Sequence, residues 1–213
     1  SSVDVLGWHA EGRGKKLLRR HLGGLVFVSV GTFFKLGSGL LVLIYIARVL
    51  GSEEFGKFSL WLAVATMAVI PVNFGFATAV LREFGQVDVD KRKVLSSVIA
   101  AKIQISFAVW TLVIVSSMFI PEGYRIGALV LVAAQTFESF AETYALSFRA
   151  VGAYKREALS ASVVAAFQML AILFAGLFLD EALGFAIVFA ASRLLGVFLF
   201  RCYSKQAFGV IGC

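Results

Sequence analysis

Long apolar runs separated by short polar connections set the pattern of this chain. Six runs stand out, at about 22–47, 55–81, 94–120, 124–148, 157–179 and 182–200. A helix needs about 20 residues to cross a hydrocarbon core of roughly 30 Å, so each run predicts a transmembrane helix. The chain is expected to be all-α and polytopic. The first run is too long for a cleaved signal peptide, and no small-residue cleavage site follows a short apolar core. The connections leave no room for an inserted soluble domain. The expected organisation is a basic N-terminal segment at 1–21, a six-helix lobe at 22–203 and a short tail at 204–213.

Composition agrees. The chain is 60% hydrophobic and only 15% charged, with a mean hydropathy of +0.89. A soluble domain of 213 residues could not cover that much apolar surface, so lipid is its solvent. The net charge of +7 is not a nucleic-acid footprint, because the basic residues gather at the ends of apolar runs rather than on one solvated face. With the N-terminus inside, 14 Lys and Arg fall on cytoplasmic segments, 3 on outer junctions (Arg48, Lys57, Arg125) and 3 within spans (Lys35, Lys102, Arg193). That asymmetry predicts both termini on the cytoplasmic side, beside anionic lipid. Cys202 and Cys213 then face a reducing compartment, and no disulfide is expected. Without histidines nearby they form no metal site. No cofactor is expected either.

Charges inside the spans need a reason, because each costs about 2.5–3.5 kcal/mol at a bilayer centre on insertion scales. Lys35 lies midway along the first run and Arg193 near the middle of the sixth. Glu138 and Glu142 lie midway along the fourth at a spacing of i, i+4, which places them on one helix face. Gln135 and, less closely, Arg149 extend that stripe. One reading is a water-filled cavity lined by these residues. The other is a structural ion pair, such as Lys35 with one glutamate. Two acids on one face need two partners or water, which favours the cavity. Lys102 lies only about two turns into its run and is expected to snorkel toward the inner headgroups.

Pro71-Val72-Asn73-Phe74-Gly75 predicts a kink late in the second run. Asn73, the sole asparagine, is a candidate for freed carbonyls or a ligand. Trp8, Tyr124 and Tyr203 read as interfacial anchors, whereas Trp61 and Trp110 fall deeper and are assigned to packing. Enzyme motifs are lacking. Gly7…Gly12-Arg13 has phosphate-loop spacing without the Lys-Ser/Thr pair, and no serine has a histidine and an acid in register.

The junction Ile46-Ala47-Arg48-Val49-Leu50-Gly51, continuing into Glu53-Glu54-Phe55-Gly56-Lys57-Phe58, resembles the first periplasmic turn of the Wzx-type polysaccharide flippases. These belong to the multidrug/oligosaccharidyl-lipid/polysaccharide exporter superfamily. The stretch from Asn73 to Glu83 is similar to that family's second-helix ending, and Phe148 to Lys155 to its fourth cytoplasmic junction. The likeness runs from about residue 20 to the end, in order. Family members usually have 12 to 14 spans in two lobes around a central cavity. The resemblance therefore implies an N-terminal lobe that pairs with a second six-helix lobe, on a missing half or on a partner chain. The absent initiator methionine and the stop at Gly212-Cys213 fit that expectation.

The resemblance further implies a transporter rather than an enzyme. It would move an isoprenoid-diphosphate-linked oligosaccharide across the inner membrane by alternating access. Lys35, Arg48 and Arg193 would meet the anionic cargo, with Asn73 as a further contact, and Glu138 and Glu142 would serve a coupling Na⁺ or H⁺. Two alternatives remain open: a cation-coupled multidrug antiporter of the same superfamily, and a non-transporting scaffold subunit of a glycan-assembly complex. In the last, the charges within the spans would be structural pairs.

Overall fold

The computed structural model describes the backbone of residues 3–73, 75–84, 91–150 and 154–208, with described side chains lying between residues 29 and 203. The basic residues of the N-terminal segment, Trp8, Arg149 and Cys213 fall outside the described side chains. Every described element is a helix: α1 (Val3–Asn73), α2 (Phe76–Phe84), α3 (Lys91–Ser117), α4 (Glu122–Ala150), α5 (Tyr154–Ala175) and α6 (Ala182–Phe208).

The first two apolar runs share α1, interrupted at Gly51, where φ is 71°. A straight helix would separate Lys35 from Thr66 by about 46 Å. Both line one cavity, and Ile46 and Phe58 share one buried core. The chain therefore turns back at Gly51, where a φ of 71° with a ψ of −177° is a conformation open essentially to glycine alone. The expected kink at Pro71 is a full break. α1 runs through the proline to Asn73 and ends, and α2 restarts after Gly75, whose φ is 76°.

Four described helical stretches are long and apolar enough to cross a membrane: Ser29–Val80, Lys93–Ser117, Arg156–Ala175 and Ala182–Tyr203. The first, 52 residues long, contains the Gly51 turn. α4 has 29 residues, a spanning length of roughly 43 Å. Arg125, Glu138 and Glu142 make it more polar than the other four, and it packs most extensively against α6 and α1. Burial is inverted relative to a soluble protein. Phe33 is 81% exposed, and Phe107 and Phe119 are exposed with it, whereas Lys102 is 2% exposed. Such an apolar exterior belongs in lipid.

The main core fills the end of the bundle near Gly51. Ile46, Phe58, Leu131, Val132, Ile172 and Phe185 are fully buried there. Phe58 meets Phe189 edge-on, with ring centroids 6.2 Å apart. Trp61 is buried in this core, as expected, and packs over Gly127, where a methyl group would overlap its six-membered ring. Trp110 packs against the same cluster. The glutamates after Gly51 differ from each other. Glu53 stays exposed and pairs with Lys57 at 3.2 Å. Glu54 also pairs with Lys57, and its Oε2 accepts the N–H of Ala182 at 3.0 Å. Ala182 opens α6, so Glu54 satisfies an otherwise orphaned donor and places negative charge at a helix N-terminus.

Candidate functional site

A cavity of about 730 Å³ runs from the middle of the bundle toward the end opposite Gly51, among α1, α4, α5 and α6. Lys35, Glu138, Glu142 and Arg193 all line it, as does Gln135. The sequence stripe on α4 is therefore a face of a cavity, and α1 and α6 bring the cations to it.

The four charges form one network. Glu138 Oε1 lies 2.9 Å from Lys35 Nζ and 2.8 Å from Arg193 Nη1, so one carboxylate oxygen bridges α1 and α6. Lys35 Nζ also donates to Glu142 Oε1 at 3.0 Å. The two acids were expected to need two partners or water; the structure supplies two partners and the cavity together. The i, i+4 spacing matters here, because it stacks both carboxylates within reach of one ammonium. Ser38 Oγ donates to the Lys35 carbonyl at 3.0 Å, within the same helical turn. The Arg193 guanidinium lies over the Phe189 ring, 5.0 Å from its centroid, a cation–π contact that holds the plane in place. Its Nε is buried without a hydrogen-bond partner among the described residues. Such a buried orphan is uncommon, and a ligand oxygen would satisfy it.

The two acids are not equivalent. The Glu138 side chain is 17% exposed and has two cationic partners, whereas Glu142 is 52% exposed and has Lys35 alone.

Arg48 and Asn73 lie elsewhere. Arg48 is exposed near the Gly51 turn and is not part of the cavity lining. Asn73 closes α1 at the helix break, where its Oδ1 accepts from Lys102 Nζ at 3.2 Å and from the Ser139 hydroxyl. Lys102 does not snorkel. Its ammonium turns inward and donates also to the Ser139 carbonyl at 2.7 Å and Thr143 Oγ1 at 2.8 Å. Three acceptors match the three N–H donors of a lysine ammonium. The signal in the sequence was the pair Ser139 and Thr143, one residue after Glu138 and Glu142 on α4. That offset turns one helix toward the cavity with its acids and toward α3 with its hydroxyls.

Searches of curated proteins and of solved structures returned no match. A sequence model of the family described as "Polysaccharide biosynthesis protein" matches residues 22–209, which takes in every residue of the charge network. Its typical members are transporters rather than enzymes, in keeping with helices of this length and apolarity. The chain is a membrane protein of the polysaccharide biosynthesis family, the flippase-type family that its junction sequences resemble.

Proposed function

We propose that the chain forms one lobe of a flippase that carries an isoprenoid-diphosphate-linked oligosaccharide from the inner to the outer leaflet by alternating access. The observation that carries this reading is the placement of Lys35 and Arg193 on facing helices of one cavity, inside a bundle with an apolar exterior. A diphosphate needs cationic donors held away from bulk water, and an arginine with an unsatisfied Nε offers one ready-made. The isoprenoid tail stays in the lipid between helices. The Lys and Arg asymmetry of the sequence supports a cytoplasmic position for the cavity end of the bundle, where such a cargo is assembled, and an inner-membrane location for the chain. A second six-helix lobe closes the pathway opposite this one.

The break between the end of α1 at Asn73 and the start of α2 at Phe76 supports movement of α2 against α1, since discontinuous helices are a recurrent device of alternating access. A multidrug antiporter fits less well: Glu138, Glu142 and Glu157 line the same cavity and would meet a cationic drug, but the buried Arg193 Nε would gain no acceptor from it. The test is complementation in cells lacking their own flippase. Lys35→Met and Arg193→Met should each lower surface polysaccharide while the protein remains at wild-type level in the membrane. Undiminished polysaccharide in both variants would reject the cationic site.

A further inference from the structure

We infer that Glu142 is a displaceable counter-ion, an internal anion that occupies Lys35 until the phosphate of the cargo takes its place. The inference rests on the flippase reading above and assigns different roles to two acids one helical turn apart.

With both carboxylates in position, Glu138 and Glu142 offset Lys35 and Arg193, Glu157 adds a further acid to the lining, and the cavity has no net attraction for an anionic headgroup. One carboxylate has to yield before a phosphate gains the full charge of Lys35. Glu138 is the wrong one. It holds Lys35 and Arg193 through a single oxygen, is mostly buried, and would leave Arg193 without a carboxylate if it moved, Lys35 keeping Glu142. Glu142 has one partner and half of its side chain is uncovered, so swinging away costs it little. Its departure frees a donor of Lys35 while Glu138 keeps the ammonium in place. Because Glu142 stays tethered within reach, it re-enters when the phosphate leaves, which keeps the cargo from being trapped on its cations. A transporter needs such release as much as capture.

The test uses the full chain in detergent micelles, titrated with farnesyl diphosphate against farnesol as the uncharged control. Removing the competing anion by Glu142→Gln should tighten farnesyl diphosphate binding by about two- to fivefold, the worth of one partly exposed ion pair. Glu138→Gln should not tighten it and should lower the melting temperature, while Lys35→Met should abolish it. Equal or weaker binding by Glu142→Gln and by Glu142→Ala, with Lys35→Met still deficient, would overturn the displacement idea and leave the cationic cavity standing. If the wild-type chain binds farnesyl diphosphate no better than farnesol, the cavity assignment falls together with it. Unfolding of both Glu142 variants would make this acid a structural partner and also overturn the inference.

Discussion

Glu138 Oε1 lies 2.8 Å from Arg193 Nη1, and this contact joins the most polar helix, α4, to α6 along the wall of the cavity. Both side chains are mostly buried, so each charge depends chiefly on its partners. Truncating Glu138 leaves Arg193 without a carboxylate, at a cost of about 3–5 kcal/mol, whereas Glu138 keeps Lys35 when Arg193 is lost. Glu138→Ala should therefore lower the melting temperature sharply in a detergent thermal-shift assay. The double variant Glu138→Met with Arg193→Met should recover much of that loss, because no orphan charge remains on this pair. A double variant no more stable than Glu138→Ala would show that the pair does not couple the helices.

Lys102 makes a similar but neutral clamp. It ties α3 to the end of α1 and to α4 through three acceptors, none of them a carboxylate. Lys102→Met keeps the length of the side chain and removes the donors, which should cost about 1–3 kcal/mol. Asn73→Ala removes one acceptor of the same group, so the two changes should be non-additive by at least about 0.5 kcal/mol in a double-mutant cycle. Additive effects would mean that Lys102 and Asn73 do not act as one unit at the helix break.

These two clusters also mark how far the sequence could be read. Lys35, Glu138, Glu142 and Arg193 were visible because a charge in an apolar run is conspicuous, and the i, i+4 spacing fixes a common face whatever the fold. Lys102 was equally visible, yet its direction was misjudged. Depth along a span says how far an ammonium lies from the headgroups and nothing about which neighbour offers acceptors. Its strongest acceptor is the backbone carbonyl of Ser139, a group every residue carries. The Glu54 cap on Ala182 was hidden for the same reason, since a helix N-terminus 128 positions away leaves no mark on the glutamate's own surroundings. The turn at Gly51 was legible from polar residues between two apolar runs. That Asn73 would bond Lys102 away from the cavity, and that Arg48 would sit outside it, depended on helix rotation, which no local pattern fixes.

Gly51 and Gly56 should respond oppositely to alanine. Neither has a neighbouring atom within 4 Å of an added Cβ, so packing does not separate them. Backbone conformation does. Gly51 has φ of 71°, whereas Gly56 lies within the resumed helix. Gly51→Ala should destabilise by about 1–3 kcal/mol, the cost of a side chain at a positive φ with extended ψ. Gly56→Ala should be neutral or stabilise by up to about 1 kcal/mol, as helix propensity predicts. Thermal unfolding of the two variants side by side gives the answer, and equal losses would contradict the turn geometry.

Gly127 faces the ring of Trp61 so closely that a methyl group would overlap it. The surrounding residues Phe58, Leu131 and Val132 are buried, leaving the indole little room to retreat. Gly127→Ala should therefore destabilise by about 1–3 kcal/mol through overpacking, despite alanine's better helix propensity. Trp61→Leu alone should also destabilise, by leaving a cavity. Combined, each substitution removes part of the other's fault: the smaller side chain makes room for the methyl. The double variant should accordingly be more stable than the sum of the single losses allows, by about 0.5–3 kcal/mol. A simple sum would place Trp61 and Gly127 out of contact, and the close approach of α4 to the second arm of α1 would then need a different cause.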